Sequence, residues 1–265
     1  MDYDFITTCN WTATGTYRLY AFRGSYNNVV NTYYSSIFYR KKGTTTWTAL
    51  NSSGQMVVDS TGEWEVANDW NKNGNDCLTH SYGGINAIDS CTDVYFNETT
   101  LGTTIGNYFL YACWNGCTSL SSMPSGFNLP TGITSVGSSF LNSCWLGCTS
   151  LTSMPSGFNI PSGITTVGND FLNGCWYGCR SLSSMPSGFN LPTGIISAGS
   201  NFLRECWWDC TSLKADGYTE DIYFKYYATN AFGGTCPITP DSPSAGSSVA
   251  VNREKILSPR TMWFN

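Results

Sequence analysis

Histidine occurs once, at His80, and charged side chains make up only 12% of the 265 residues, about half the share of an ordinary globular chain. A single histidine excludes most nucleophile–histidine triads and histidine relays. Carboxylates are sparse. Glu63 and Glu65 flank Trp64 on an expected strand and face one side, which reads as a solvated face and not as a glycosidase pair. The net charge is -5, so nothing here neutralises phosphates, and nucleic acid is excluded as a partner. No run of 18 apolar residues exists, so no membrane-spanning helix is expected. The opening MDYDFITTCNWTATG has no basic start and no apolar stretch, so no signal peptide is read in this chain. The expected location is a virion surface or the extracellular space, reached by a route such as cell lysis. The glycines fall in SGF and TGI turns and form no phosphate-binding loop.

What is abundant is apolar and repetitive. Hydrophobic residues are 41% and aromatic residues 15%, enough for a real core. Three near-copies read FLYACWNGCTSLSSMPSGFNLPTGI, FLNSCWLGCTSLTSMPSGFNIPSGI and FLNGCWYGCRSLSSMPSGFNLPTGI, and a fourth starts as FLRECWWDCTSLKA. Cys113, Cys144, Cys175 and Cys206 recur every 31 residues, as do Cys117, Cys148, Cys179 and Cys210. A fixed period of this size predicts units that bury their apolar faces against one another.

Each copy is read as a short helix (108–117, 139–148, 170–179 and 201–210) capped by Asn107, Ser138, Asn169 or Ser200. A strand-like Ser-Leu-Ser/Thr-Ser-Met and turns set by Pro and Gly follow. The unchanging Phe, Leu, Cys, Trp and Cys form one helical stripe, predicted to face inward. The changing residues form the opposite stripe. From it come the candidate binding residues: Tyr108, Tyr111, Asn115, Asn142, Leu146, Asn173, Tyr177, Arg204 and Trp208. Exposed Tyr and Trp among them are the natural anchors for a partner.

The blocks CTSLTSMP and LPTGITSVGSSFL resemble the BspA-like leucine-rich repeats of bacterial and phage surface proteins, over about residues 88–213. The period is longer than in that family, and the Cys-Trp pair is an addition. The resemblance implies adhesion or partner binding and no chemistry.

The resulting expectation is a mixed α/β chain: a short leucine-rich-repeat-like solenoid behind an N-terminal antiparallel β-sandwich-like domain. The divisions are 1–70 for the sandwich, 71–104 for a degenerate entry repeat, 105–213 for the solenoid, 214–232 for a C-terminal cap and 233–265 for an extended tail able to dock on a neighbour. The alternation in TYRLYAF, SSIFYRKK and GEWEVA carries the sandwich reading. Most of the twelve cysteines are expected as buried free thiols. Residues four apart on a helix hold their Cβ atoms ~5–6 Å apart, too far for a disulfide. Bridges among Cys9, Cys77, Cys91 and Cys236 stay open. Asp69, Asn71, Asn73 and Gly74 partly match a calcium loop, but His80 stands where its bidentate Glu belongs, and a polar turn is the preferred reading. No enzyme activity and no cofactor are expected. The expected role is a structural or adhesive protein, a phage fibre or decoration component or else a bacterial adhesin. Its partner is a protein or a surface glycan, and it works as a homo-oligomer or within a larger assembly.

Overall fold

The structure is a computed structural model. It describes residues 3–22, 31–70 and 77–213, apart from 187, 188, 190, 193 and 196. The expected cap at 214–232, the tail at 233–265 and Cys236 lie outside the described residues.

In chain order the N-terminal part contains β1 (Phe5–Trp11), β2 (Gly15–Arg18), β3 (Tyr20–Phe22), a 3-10 helix (Asn31–Ser36), β4 (Ile37–Lys41), β5 (Thr48–Ala49), β6 (Gln55–Val58), β7 (Gly62–Asn68), β8 (Thr79–Ser81) and β9 (Ile88–Phe96). A four-residue helix α1 (Glu98–Leu101) leads into four two-residue strands. These are β10 (Thr104–Ile105), β11 (Ser135–Val136), β12 (Thr166–Val167) and β13 (Ser197–Ala198). An antiparallel sheet runs in the order β5-β4-β7-β1-β9, with the pairs β2-β6 and β3-β8 beside it. Alternation explains its faces. Phe5, Thr7, Cys9 and Trp11 of β1 point inward with Trp64 and Val66 of β7, while Glu63 and Glu65 stay on the wetter side.

The mixed α/β solenoid expected from the sequence does not form. The chain is rich in strands, and α1 is the single α-helix among the described residues. The four stretches read as helices are ribbons in which φ turns positive at alternate residues. In the first copy φ is 66° at Tyr108, 52° at Leu110 and 51° at Ala112. Leu141, Leu172 and Leu203 repeat the pattern at 54°, 54° and 57°. A left-handed residue turns its amide out of the helical path, so half the amides are freed sideways. Those of Tyr108, Ala112, Trp114 and Gly116 donate to Ser138, Asn142, Cys144 and Leu146 of the next copy, at 2.8, 2.9, 2.8 and 2.6 Å. The intervening amides close short local turns, such as Tyr111 to Tyr108 at 3.1 Å and Cys117 to Trp114 at 3.1 Å.

Left-handed backbone at a residue with a Cβ costs about 1–2 kcal/mol. Stacking identical copies in register offsets that cost. The indoles of Trp114, Trp145, Trp176 and Trp207 lie nearly parallel, with centroids 5.5, 5.4 and 5.3 Å apart. Phe109, Phe140, Phe171 and Phe202 stack likewise at 5.2, 5.5 and 5.3 Å. All eight rings are buried, and each contributes about 2–5 kcal/mol, the indoles at the upper end.

Two side-chain devices fix the register. The cap role expected of Asn107 and Asn169 is replaced by a link between copies: their Oδ1 atoms accept the amides of Ser138 and Ser200 at 2.7 and 2.9 Å. Gly137 and Gly168 lie against the preceding copy. A Cβ on Gly168 would sit 2.5 Å from the Ser138 nitrogen and 2.6 Å from the Gly137 carbonyl carbon. On the opposite flank β10, β11, β12 and β13 pair in parallel, aligning Ile105, Val136, Val167 and Ala198.

The sheet joins this stack without a gap. Amides of Cys77, Tyr82, Gly84 and Cys91 donate to Asn107, Cys113, Asn115 and Ser122 at 2.8, 2.8, 2.7 and 3.0 Å. Residues 77–91 thus lie where a preceding copy would lie. Strand β9 serves both parts, pairing with β1 on one side and bridging Ser90 to Ser122 on the other. The sheet therefore extends beyond residue 70, and one hydrophobic core continues from Phe5 to Leu213.

Candidate interaction surface

Stacking in register converts the repeat into columns. The constant residues build the buried columns. The two cysteine columns are fully buried free thiols. Burial pushes the thiols of Cys113, Cys144, Cys148, Cys175 and Cys206 well above the usual thiol range. In the second column the thiols of Cys148, Cys179 and Cys210 donate to the carbonyls of Trp114, Trp145 and Trp176, each at 3.0 Å. These sulfurs therefore act as small hydrophobes with one weak donor each. Inert burial of this kind is the opposite of a reactive thiol's environment.

The changing residues form four columns on the other side of each ribbon. They are Tyr108–Ser139–Asp170–Asn201, Tyr111–Asn142–Asn173–Arg204, Ala112–Ser143–Gly174–Glu205 and Asn115–Leu146–Tyr177–Trp208. Exposure grows along the second column, from Tyr111 to Arg204, whereas the fourth is half-buried throughout. Tyr111 is only 4% exposed and Asn142 only 9%, so these two expected surface residues are buried. The N-terminal strands cover the first copy. Phe22 of β3 meets the Tyr111 ring edge-on at 5.0 Å. On β8, Ser81 donates to the carbonyl of Ala112, and Thr79 to that of Tyr108 at 2.8 Å. Tyr108, Asn115 and Leu146 are half-buried. Further along, Asn173, Tyr177 and Trp208 are half-buried and Arg204 is exposed.

Polar side chains at that end are tied to each other. Asp170 accepts from Asn173 at 3.1 Å and from Asn201 of the next copy at 2.9 Å. Arg204 pairs with Glu205 at 3.2 Å. The backbones under Tyr177 and Trp208 are adjacent, because Gly178 donates to the Trp208 carbonyl at 2.7 Å. The result is a surface of two aromatic side chains bordered by amide, carboxylate and guanidinium groups. Asp170, Asn201 and Glu205 join it although the sequence reading left them out. Their positions in the changing columns were the available signal.

The remaining candidates resolve into structural roles. His80 points into the core. Its Nδ1 lies 2.6 Å from Asn68 Oδ1 and its Nε2 2.8 Å from Thr7 Oγ1, and burial pulls its pKa down to about 3. Asp69 is exposed, its carboxyl raised by partial burial and then by Asp4, and Asn71 and Asn73 lie outside the described residues. Among the described residues, no group of three or more His, Cys, Asp or Glu side chains is placed to hold a metal ion. Glu63 and Glu65 each have a basic neighbour. Glu63 pairs with Lys42 at 2.9 Å and Glu65 with Arg40. The Thr92 hydroxyl and then Lys42 pull the Glu63 carboxyl below its usual range. That environment holds Glu63 ionised, and a general acid would need the reverse.

Comparison of the chain with protein-family models, with curated proteins and with solved structures returns no match.

Proposed function

We propose that this chain is a non-enzymatic adhesive protein of a virion surface, binding a protein or surface glycan through the last two copies of its repeat. One observation carries the reading. In the last two copies Arg204 is exposed and Asn173, Tyr177 and Trp208 are half-buried, while the constant columns stay buried. Half-exposed Tyr and Trp beside hydrogen-bonding groups suit a flat polar ligand or a protein partner. The low charge and the BspA-like sequence blocks support a surface role over an intracellular one. The isolated His80 and the paired Glu63 and Glu65 support a role without catalysis.

The test is a glycan and host-surface protein array probed with the full chain and with Tyr177→Ala and Trp208→Ala. Binding that falls at least tenfold in both variants is expected. Absence of any ligand, or binding indifferent to both changes, overturns the assignment of this surface. Mass spectrometry of purified particles tests the virion location.

A further inference from the structure

We propose that Cys9 and Cys91 are a disulfide-forming pair that, when oxidised, fastens the first strand of the sheet to the strand shared with the repeat stack. The two residues are direct partners across the antiparallel pair β1 and β9, between two register shifts, at Thr8/Cys9 and Asn10/Trp11. The amide of Cys91 points away from β1, donating to Ser122 at 3.0 Å. Cys9 and Cys91 therefore have the arrangement of a non-hydrogen-bonded pair, in which Cα atoms approach to ~4.5 Å and side chains lie closest. A disulfide accepts Cα separations of ~4.4–6.8 Å. Both side chains are buried and both thiols are free; the Cys91 thiol donates to the Asp93 carbonyl at 3.5 Å, and burial and then the neighbouring Cys9 raise it well above the usual thiol range.

Thiols of the repeat are directed elsewhere. Cys148, Cys179 and Cys210 donate to tryptophan carbonyls at 3.0 Å, and Cys144 and Cys206 are hydrogen-bonded to backbone of the preceding copy. The sequence left bridges among Cys9, Cys77, Cys91 and Cys236 open, and the strand register selects one of them. Oxidation would break the two S–H bonds and form one Sγ–Sγ bond. Two electrons and two protons would pass to a low-molecular-weight disulfide, which leaves as two thiols. Burial places the step during assembly of the sheet, before the core closes. The bridge would close a loop over residues 10–90 and hold β9, the sheet's terminal strand, at the junction with the stack. This inference stands apart from the binding role and survives its failure.

The experiment refolds the full chain from urea in reduced and oxidised glutathione, alkylates free thiols under denaturing conditions, and maps non-reduced peptides by mass spectrometry. Chain purified without unfolding, under reducing and non-reducing conditions, is mapped in parallel. A Cys9–Cys91 linked peptide with alkylated repeat cysteines is expected, with Tm higher by roughly 10 °C than that of the reduced protein. Cys91→Ser should abolish both the linked peptide and the Tm difference. Full alkylation of Cys9 and Cys91 at every glutathione ratio overturns the proposal, as does a dominant link from Cys9 to any other cysteine.

Discussion

Two glycines in the second copy should respond to alanine in opposite directions. Gly168 follows β12 and lies on the preceding copy's backbone, whereas Gly157 sits in the SGF turn with nothing within 4 Å of its would-be Cβ. Neither has a left-handed φ, so conformation alone does not forbid alanine at either. At Gly168 the new methyl would lie 2.5 Å from the Ser138 nitrogen, 2.6 Å from the Gly137 carbonyl carbon and 2.8 Å from its oxygen. These are backbone atoms, so no rotamer change relieves them, and the copies must part. Overpacking of this kind costs about 1–3 kcal/mol. Parting also strains the bond from the Gly168 amide to the Val136 carbonyl, 3.0 Å long, worth about 1 kcal/mol. Gly168→Ala should therefore destabilise by about 3 kcal/mol, a fall in Tm of roughly 6–12 °C for a chain of this size. Gly157→Ala should be neutral or stabilise by about 0.4–1 kcal/mol, through the unfolded chain's lost freedom. Urea denaturation followed by tryptophan fluorescence measures both, since the stacked indoles report the copies directly. Equal midpoints for Gly168→Ala and the parent would refute close backbone stacking as the origin of these glycines.

One column also gives opposite outcomes at its two ends: Tyr111→Ala should cost about 3 kcal/mol, while Arg204→Ala should stay within about 0.5 kcal/mol, both read from urea midpoints. Repeat thiols should resist a thiol reagent at pH 8 in native, reduced protein and react together on unfolding; rapid native labelling of Cys144 or Cys175 contradicts their burial, which holds them protonated. His80 has a folded pKa of about 3 against an ordinary 6.5, so the unfolded chain takes up a proton first as pH falls. Its contribution is complete above pH 6.5 and is lost progressively below it, by about 2 kcal/mol at pH 5. Denaturation midpoints that are flat from pH 7 to 5 would contradict the buried neutral imidazole.

The period, the inward columns and the strand alternation of the N-terminal part were legible in the sequence. Phe109, Leu110, Cys113, Trp114 and Cys117 were expected to face inward, and they are buried. The backbone that carries them is not legible, because offsets of 0, 1, 4, 5 and 8 fit two geometries. A helix buries those positions as a stripe, and a ribbon of alternating φ sign buries the same positions against the next copy. Periodicity cannot separate the two. The discriminating signal was the residue type at alternate places. Asp170, Gly174 and Gly178 in one copy, and Asn201 and Asp209 in the next, occupy left-handed backbone, where Gly, Asn and Asp are favoured. Such residues at even spacing inside a supposed helix argue against it. The burial of Tyr111 had no local signal, since it depends on where β3 comes to rest.

The hydrogen bonds between ribbons also explain why the surface is free to vary. Main-chain bonds join the copies at changing positions, such as Ser139 to Asn169 at 2.7 Å, Ser143 to Asn173 at 2.8 Å and Gly147 to Tyr177 at 2.7 Å, and the side-chain bond from Asn201 to Asp170 is added to them. None of the main-chain bonds depends on the side chain carried there. The stack is specified instead by the Trp, Phe, Cys, Gly and Asn positions that do not face the solvent columns. In the first copy the sheet constrains the varied residues, because Phe22 and Ser81 cover Tyr111 and Ala112. In the fourth copy, among the described residues, Arg204 is exposed and Glu205 and Trp208 are half-buried.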